Sequence, residues 1–494
     1  MRIVLVHYHL RPGGVTQVIL HQAEALREAG EEVLVLSGEA PPLAESWEGI
    51  PVTVIPGLHY DRYRPSADTT DTAESDSKRR AASLDLAKAL EAAISSRWPS
   101  SGGTVLVHVH NPLIRKNSLL AGALKALAGT FPLLLQNHDL AEDFRPDVYT
   151  GCQYPENCHY AVINSRDYRF LLEAGLKPEG LHLLPNEVGT LAVTPGLPKT
   201  RYLYPVRGIR RKNIGEALLL SLYLPKADTN GKVTITQPPT TEQDVPAYRR
   251  WKETAAELRL RSEFEAGVGV SFAAVMGSAK AVITTSVKEG FGFSFLEPWT
   301  AGITVTGRRI DYVCRDFEEA GLKFDSLYRS INIPAACTEP EKLRKKAEFA
   351  LSRVYAAFGL PLPPNVPAEV DRAFGSGSFF DFGIMDEELQ EKVLRLTAGD
   401  KTIREQIRRA NPFLENLANW QPDPRAAEAN REAVLASYSR KKILVLLLET
   451  YRQTLKSVTQ TISRRKLLER YLDPARLSLV GMSESNTVSA RELS

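Results

Sequence analysis

The chain has 494 residues, a length that predicts two or three domains and argues against a single hydrophobic core. Hydrophobic residues make up 43% and charged residues 24%, the composition of an ordinary globular protein, and a formal net charge of +3 gives no reason to expect a nucleic-acid-binding surface. Four cysteines are too few for a disulfide framework, so we expect a reducing compartment.

The first 185 residues alternate short apolar runs with amphipathic segments. The predicted strands are Ile3–Val6, Val33–Leu36, Val52–Ile55, Val105–Val109, Pro132–Leu135, Ala161–Ile163 and Leu181–Leu184. The predicted helices are Val15–Ala29, Arg79–Ile94, Leu119–Leu127 and Arg166–Leu172, and the polar segment around 70–80 is predicted to be a solvated loop. Continuous apolar strands between amphipathic helices predict a parallel sheet covered on both faces, a Rossmann-like domain over 1–188.

A second domain of the same kind is predicted over 200–430, after a linker at 189–199 that holds two glycines and two prolines. Its predicted strands are Tyr202–Val206, Val233–Thr236, Ala281–Thr285 and Ile303–Thr306, and its predicted helices are Asn213–Tyr223 and Ala247–Leu258. Residues 324–380 have the character of an insertion. C-terminal helices are predicted over 431–471, the last helix spanning Glu432–Leu455, and a frayed polar tail over 472–494.

The predicted fold class is therefore α/β, with two Rossmann-like domains facing across a cleft. Ligands of such sheets bind beyond the carboxyl ends of the strands, so we expect the site in that cleft. Because Met1–Val6 is itself a predicted buried strand, no secretory signal is expected. The longest apolar run, Ile443–Leu448, is far shorter than the roughly 18 residues that cross a bilayer. We expect a cytoplasmic protein, with peripheral membrane contact left open.

The segment KEGFGFSFLEPWTAG, residues 288–302, follows a predicted strand and opens a predicted helix near Ser294. Gly290 and Gly292 let the backbone approach a ligand closely, and the first N–H groups of a helix bind phosphate. Glu289 and Glu297 would repel that phosphate, but carboxylates accept hydrogen bonds from hydroxyls. The pattern suits a diphosphate with a sugar ring on either side; a glycine-rich turn with two surface glutamates is the alternative.

This segment resembles the E-x(7)-E motif of retaining GT-B glycosyltransferases, specifically glycosyltransferase family 4. The resemblance implies that Glu289 contacts the hydroxyls of the donor sugar and that Glu297 holds the ribose hydroxyls of the nucleotide. It places Gly290, Phe291 and Gly292 in the donor-binding loop. Where the family often has Ala-Met-Ala after the second glutamate, this chain has Pro-Trp-Thr, so the packing near the donor is expected to differ.

A second motif, YPVRGIRRKN, places Arg207 at the end of a strand and Lys212 at the start of a helix. Two cations on one loop suit a diphosphate leaving group, because they offset the charge that grows as the glycosidic bond breaks. In the family a similarly spaced Arg and Lys bind that diphosphate, which implies the same role for Arg207 and Lys212, with Arg211 ranked below them. A solvated basic turn is the alternative.

Three further positions follow predicted strands of the first domain. Gly13 and Gly14 lie in a strand-to-helix turn without the full G-x-G-x-x-G fingerprint, and they resemble the family's N-terminal loop, which faces donor phosphate and acceptor. His138 ends the strand LLLQN, where the family commonly has a histidine that contacts the donor sugar. His110 and Asn111 are similarly placed and are expected to face the acceptor, although a purely structural role stays open for all of these residues.

No metal site is predicted. Cys152, Cys158 and His159 are widely spaced and lack a fourth ligand, and the chain contains no Asp-x-Asp triplet. A set of basic residues in the loops of the first domain is expected to be solvated, with binding of an anionic or phosphorylated acceptor left open; the set is Arg11, Arg115, Lys116 and Arg145.

The resemblance covers residues 2–320 and the final helices, where Tyr438-Ser439 is similar to the family's late tyrosine–serine motif. It implies that the terminal helix crosses back onto the first domain. It also implies a metal-independent hexosyltransferase that retains anomeric configuration and needs no cofactor beyond its nucleotide-sugar donor. The catalytic residues would be His138, Arg207, Lys212 and Glu289. The acceptor is left open among small polar metabolites, glycans and lipid head groups. A nucleotide-sugar epimerase and a catalytically silent nucleotide-sugar-binding protein are the alternatives.

Overall fold

The structure, a computed structural model, describes residues 1–61, 73–99, 103–149, 154–374 and 377–482. The chain divides into two compact units. Unit 1 consists of Met1–Glu187 and Tyr438–Tyr471, and unit 2 of Val188–Ser437 and Leu472–Ser494. Among the described residues, none of the helices is both long enough and apolar enough to span a bilayer.

Unit 1 contains a parallel sheet with seven strands in its described part. The strands are Arg2–His7 (β1), Glu32–Ser37 (β2), Val52–Val54 (β3), Val105–His110 (β4), Leu133–Asn137 (β5), His159–Val162 (β6) and Leu181–Leu183 (β7). Their spatial order is β3-β2-β1-β4-β5-β6-β7. The helices between them are Gly14–Glu28 (α1), Ala73–Arg97 (α2), Leu120–Leu127 (α3) and Ser165–Glu173 (α4).

The sheet of unit 1 is buried on both faces, and most positions of its central strands are apolar. In β1, Val4 and Val6 point into a core that also contains side chains of α2 and α3. Ile3 and Leu5 point to the opposite face, onto α1. Successive side chains of a strand alternate between faces, so a strand buried on both sides has an unbroken apolar sequence.

Unit 2 contains a second parallel sheet, ordered β10-β9-β8-β11-β12-β13. Its strands are Arg201–Arg207 (β8), Lys232–Gln237 (β9), Ser262–Phe264 (β10), Ala279–Thr284 (β11), Val305–Arg308 (β12) and Leu327–Tyr328 (β13). A separate antiparallel pair is formed by Asn332–Pro334 (β14) and Phe379–Asp381 (β15). The linker residues 189–199 are hydrogen-bonded to unit 2, for instance from Thr194 N to Ala273 O at 3.0 Å.

The helices of unit 2 surround this sheet. Those up to residue 319 are Ile214–Ser221 (α5), Val245–Glu257 (α6), Phe272–Gly277 (α7), Glu297–Thr300 (α8) and Asp311–Glu319 (α9). The later ones are Pro340–Ala357 (α10), Val366–Phe374 (α11), Glu387–Gly399 (α12), Lys401–Ala410 (α13), Phe413–Ala418 (α14) and Pro424–Tyr438 (α15). The predicted insertion at 324–380 therefore contains two helices and a strand pair of its own.

The chain returns to unit 1 after Ser437 with two more helices, Arg440–Thr454 (α16) and Arg464–Tyr471 (α17). Leu447 and Tyr451 of α16 join the same core layer as α1, and Arg440 pairs with carboxylates of unit 1, including Glu24 at 2.7 Å. The prediction of one helix over Glu432–Leu455 is wrong. Ser439 has an extended backbone (φ −63°, ψ 156°), so α15 ends and α16 begins on either side of it.

Two segments that were predicted to be a solvated loop and a frayed tail also need correction. Within the polar segment around 70–80, positions 70–72 lie outside the described residues, but 73–80 form the first turns of α2. The predicted frayed tail is ordered over 472–482, because its apolar side chains are buried in unit 2. These side chains are Leu472, Leu477, Leu479, Val480 and Met482. Residues 483–494 lie outside the described part of the chain.

Candidate functional site

The sheet of unit 2 changes its winding direction between β8 and β11. These two strands are neighbours in space, yet β9 and β10 extend the sheet on one side while β12 and β13 extend it on the other. At such a switch point the loops after the two central strands diverge and leave a crevice at the carboxyl edge, where ligands bind. The loop after β8 contains the RGIRRKN motif, and the loop after β11 leads to Glu289.

Backbone and side-chain hydrogen bonds fasten these two loops to each other. Arg210–Lys212 form a single 3-10 turn after β8, and the N–H of Val287 donates to the carbonyl of Arg211 at 3.1 Å. The carbonyl of Lys212 accepts from the hydroxyl of Tyr204 at 2.7 Å and from that of Thr285 at 3.1 Å. The loop geometry is therefore fixed before any ligand binds.

Glu289 is held between two cations. Its carboxylate accepts hydrogen bonds from the ammonium of Lys212 and, at 2.9 Å, from the guanidinium of Arg211. Burial alone would raise the pKa of Glu289, but the charges of Lys212 and Arg211 outweigh burial and lower it to about 2. The group is an ionised carboxylate at any physiological pH, able to accept hydrogen bonds and unable to donate a proton.

The backbone of Glu289 is fastened as firmly as its side chain. The hydroxyl of Tyr312 donates to its carbonyl, and its own N–H lies 3.2 Å from the same hydroxyl oxygen. Gly292 adopts a left-handed conformation (φ +94°), and an added Cβ would lie only 2.8 Å from Val313 Cγ1. A glycine is required there for local geometry, whatever binds nearby.

Phe291 and Gly290 lie between these two anchored positions. The side chain of Phe291 is buried in edge-to-face contact with Phe293 and Phe317, at ring-centroid distances of 5.1 and 5.6 Å. A ligand at this position would therefore meet the backbone of Phe291 and not its ring. The same holds for Gly290, which has no side chain.

Glu297 is the first residue of α8 and is half-buried. Burial raises its pKa to about 7, so near neutral pH the carboxyl group exists in both protonation states. The predicted helix near Ser294 is instead a 3-10 turn over Phe293–Phe295, followed by the single turn of α8. With Pro298 in the first turn and so few aligned peptide units, this segment provides much less dipole than a long helix would.

Arg207 is the last residue of β8 and is exposed, five positions before Lys212. Arg211, ranked below it in the sequence analysis, is the residue that donates to Glu289. Arg210 has a different role, because it pairs with Glu387 and donates from Nη1 to the carbonyl of Met482 at 2.9 Å. Next to Met482, a Cβ at Gly481 would lie 3.2 Å from Val287. The last described residues of the chain thus pack against both loops of the site.

In unit 1 the corresponding edge of the sheet is lined by histidines. His138 follows β5, and its Nε2 lies 3.0 Å from Nδ1 of His110, with the two rings stacked. His7 Nδ1 lies 3.1 Å from the carbonyl of His110. The side chain of Asn111, a residue with φ 53°, accepts a hydrogen bond from the backbone N–H of His138 at 2.7 Å. These four residues form what we call the histidine cluster.

Burial determines the charge state of the histidine cluster. It lowers the pKa of His138 to about 4 and that of His7 to about 3, and it lowers the pKa of His110 well below the ordinary value. All three rings are neutral at pH 7, each with one N–H. Among the described residues, Nε2 of His110 has no hydrogen-bond partner.

A proton on Nε2 of His110 would be a buried, unpaired donor, which costs more than an unpaired acceptor. Nδ1 of His110 is therefore the protonated nitrogen, and it donates to Nε2 of His138. His138 must then have its own proton on Nδ1. In this tautomer Nδ1 of His138 is a hydrogen-bond donor, and contact of His138 with the donor sugar stays a prediction.

Gly13 and Gly14 lie at the start of α1 and are exposed. A Cβ at Gly14 would have no atom within 4 Å, and one at Gly13 would meet only the carbonyl of Arg11 at 3.9 Å. Internal packing therefore does not require glycine at either position, and a ligand-facing role for this turn stays a prediction.

The cysteines give no metal centre in the part of the chain that the structure describes. Cys158 is buried as a free thiol, and His159 pairs with His182 at 2.9 Å, while Cys152 lies outside the described residues. No group of three or more potential ligands among the described side chains is arranged to hold a metal ion.

Comparison with known proteins places the fold. No family model matches the sequence. Mannosylglucosyl-3-phosphoglycerate synthase from Petrotoga mobilis is 24% identical over 430 residues, which span 79% of this chain and 80% of that protein. HepE from Anabaena, solved in complex with UDP-glucose, is 12% identical with a TM-score of 0.53 over 92% of this chain and 99% of that one.

Sucrose-phosphate synthase from Thermosynechococcus elongatus is 16% identical, with a TM-score of 0.50 over 92% of this chain and 99% of that one. A glycosyltransferase from Rickettsia africae is 15% identical, with a TM-score of 0.50 over 92% and 98%. The chain has the GT-B fold. The predicted α/β class and two Rossmann-like sheets are thereby confirmed. Membership of family 4 within the GT-B glycosyltransferases stays a prediction.

Three residues of the candidate site were given no role from the sequence. Tyr204, Thr285 and Tyr312 position the backbone around Lys212 and Glu289. Tyr204 is the first residue of the YPVRGIRRKN motif, whereas Thr285 and Tyr312 lie outside both motifs. Tyr204 and Thr285 lie in or directly after the central strands of the sheet, and polar side chains in otherwise apolar strands were the available indication. Tyr312 lies 23 residues from its partner and had no such indication.

Proposed function

We propose that the protein is a glycosyltransferase that moves a hexosyl group from a nucleotide-diphosphate sugar to an acceptor hydroxyl, with retention of anomeric configuration and without a metal ion. The observation that supports this most is the meeting of Arg211, Lys212 and Glu289 at the switch point of the unit 2 sheet. Two cations and a permanently ionised carboxylate at a ligand-binding edge suit a ligand with both phosphate and hydroxyl groups.

The leaving group explains the need for the cations. As the bond between the anomeric carbon and the diphosphate stretches, negative charge grows on the phosphate oxygens, and Arg207 and Lys212 would stabilise it. The acceptor hydroxyl attacks the oxocarbenium-like carbon from the face that the diphosphate leaves. Its proton passes to a departing phosphate oxygen. This route keeps the anomeric configuration and needs no protein nucleophile.

Each acidic residue has a distinct part in this proposal. Glu289 accepts hydrogen bonds from the donor sugar's hydroxyls, and its ionised state at every physiological pH suits that role. Glu297 accepts from the ribose hydroxyls. Gly290, Phe291 and Gly292 present backbone groups to the donor, and Gly13 and Gly14 leave room in unit 1 for a phosphate or acceptor group.

The relatives support the substrate class. HepE was solved with UDP-glucose, and the Petrotoga mobilis relative is named as a synthase of a mannosylglucosyl-phosphoglycerate. Both names involve hexoses. Similarity over four fifths of the Petrotoga protein supports hexosyl transfer as the activity of this chain as well.

The test is a donor panel with the full-length protein in the presence of a chelator. Nucleotide release from UDP-, GDP- or ADP-hexoses supports the transferase, and NMR of the product reports whether the new linkage has the anomeric configuration of the donor. Isomerised donor without nucleotide release would identify an epimerase. Binding without any turnover, across the whole panel and with acceptors from cell extract, would rule out the proposed activity. Turnover that disappears when metal is removed would rule out metal-independence.

A further inference from the structure

The carboxyl edge of the unit 1 sheet carries a second group of charged and aromatic side chains, separate from the histidine cluster. The winding direction of this sheet changes between β1 and β4, so ligands are expected at the loops that follow those strands. His9 and Lys116 lie in these two loops, Tyr60 lies in the loop after β3, and Arg145 lies in the loop after β5.

Tyr60 contacts two of these side chains, and backbone hydrogen bonds join the loops of Lys116 and Arg145. The N–H of Arg115 donates to the carbonyl of Val148 at 2.7 Å, and the N–H of Val148 donates to the carbonyl of Arg145 at 3.2 Å. The ammonium of Lys116 lies 5.4 Å from the centroid of the Tyr60 ring, and Nε2 of His9 lies 3.0 Å from the Tyr60 hydroxyl. Burial lowers the pKa of Lys116, and the nearby charge of Arg145 lowers it further. The charges of Asp147 and Asp139 raise the pKa of Lys116 but offset the lowering only in part, so a ligand that brings negative charge would stabilise both cations.

The loop that holds Lys116 is fixed in place. The buried side chain of Asn117 donates to the carbonyls of Gly57 and His59, both at 2.7 Å, and accepts from the backbone at the start of α3. The carbonyl of Lys116 accepts from the N–H of Asp61 at 3.0 Å. Lys116 is thus held beside Tyr60, so a ligand would not have to order this loop.

The acidic residues near Lys116 have partners other than Lys116. Glu39 accepts from the guanidinium of Arg11, with a Nε contact of 2.7 Å, and lies 3.2 Å from His59 Nδ1. Asp139 lies 3.4 Å from Arg145, and such an exposed pair contributes little. Asp147 acts on Lys116 only through its charge. No carboxylate among the described residues lies within ion-pair distance of Lys116.

We propose that Lys116 and Arg145, with the hydroxyl of Tyr60, bind the phosphate of a phosphorylated acceptor. This inference rests on the proposed function, because it assigns the acceptor of that reaction to the phosphorylated class. Lys116 supplies a compact positive charge, and Tyr60 supplies a hydroxyl donor. Arg145 supplies a guanidinium, which exchanges its contact with Asp139 for one with the phosphate. Arg11 stays paired with Glu39 and is not part of the site.

The test is calorimetric titration of the full-length protein with 3-phosphoglycerate, and with glycerate as the comparison that lacks the phosphate. We expect 3-phosphoglycerate to bind with an affinity that falls as salt rises and glycerate to bind far more weakly. Lys116→Gln should weaken binding by about tenfold or more, the value of one charge-assisted hydrogen bond. Asp139→Asn should strengthen it severalfold, because Arg145 loses its competing partner.

Lys125→Gln, which removes an exposed cation of α3, is the matched control and should bind as the unmodified protein does. Equal binding of glycerate, equal effects of Lys116→Gln and Lys125→Gln, or no binding of 3-phosphoglycerate would each overturn the inference. A parallel titration with UDP separates the two proposals. If UDP binds and donor is turned over but 3-phosphoglycerate does not bind, the proposed function holds and this inference fails. If 3-phosphoglycerate binds but no donor is turned over, the anion site exists and the proposed function fails.

Discussion

The two sheets share a strand order around their switch points, but the residues placed there differ in charge. In unit 1, His7, His110 and His138 are buried and neutral. In unit 2, Lys212 and Glu289 form an ion pair at the equivalent edge. All nine histidines of the chain lie before residue 183, so unit 2 has none in its own sheet.

The difference teaches that topology sets where a ligand binds and that loop residues set what chemistry is possible there. Neutral imidazoles in unit 1 donate and accept hydrogen bonds without adding charge, which suits sugar hydroxyls. Fixed charges in unit 2 suit a leaving diphosphate, whose charge grows during the reaction. Variants that exchange or remove these properties show whether the two edges really divide the work in this way.

The largest effect is expected from Lys212→Ala. This variant removes the cation that would stabilise the leaving phosphate, and the turnover number for sugar transfer should fall by roughly 10²–10³-fold, as for loss of one charge-stabilising donor. The measurement is nucleotide release at saturating donor. Lys226→Ala, at an exposed position of the same unit, is the control and should be unaffected. Equal rates in both variants would remove the charged edge of unit 2 from the mechanism.

A smaller effect, roughly tenfold on turnover, is expected from His138→Ala, because one hydrogen bond to substrate is lost. Nitrogen-15 NMR of labelled histidines tests the cause. In the unmodified protein His138 should be neutral with its proton on Nδ1, and His110→Phe should abolish that preference while His182→Ala leaves it intact. A proton on Nε2 of His138 in the unmodified protein would contradict the hydrogen-bond pattern derived for the histidine cluster.

The smallest effect concerns Glu297, whose pKa burial raises to about 7. On the proposal that ionised Glu297 accepts hydrogen bonds from the ribose hydroxyls, the donor's KM should fall a fewfold between pH 6 and pH 8, and Glu297→Gln should lose this dependence. Between pH 4.5 and 7 the folded state keeps a proton that the unfolded state releases, so stability falls as pH rises through that window.

Glu297→Gln should accordingly raise the free energy of unfolding at pH 8 by on the order of 1 kcal/mol and leave it unchanged at pH 4. Denaturant titrations at the two pH values provide the measurement. Glu253→Gln, at an exposed position of α6, should change neither property. A pH-independent KM in the unmodified protein would separate Glu297 from donor binding.

The fold was largely predictable because the central strands have mostly apolar sequences. β1, β4, β5 and β11 were each located to within two residues at either end. The helix α10 was missed inside a proline- and alanine-rich stretch, although Leu343, Ala347 and Val354 repeat at helical spacing on its buried side. Its residues contained the pattern, and the neighbouring prolines and glycines obscured it.

The site was only partly predictable. Glu289 and Lys212 stand in local motifs, so each could be singled out, but their contact joins residues 77 positions apart and depends on which strands are neighbours. That β8 and β11 are neighbours at the centre of the sheet cannot be derived from the sequence of either strand alone. Likewise, Lys116 and Arg145 are ordinary surface cations in the sequence. Only the fold places Lys116 against Tyr60 and joins its loop to the loop of Arg145.

The winding of the chain between its two units has a consequence for synthesis. Unit 1 is complete only with α16 and α17, and unit 2 only with residues 472–482, where Met482 accepts the hydrogen bond from Arg210. Neither unit can therefore close its core before the segments that follow residue 437 have been synthesised, although domains usually fold one after the other. Each half of a newly made molecule would stay incomplete until the later segment that belongs to it has been synthesised.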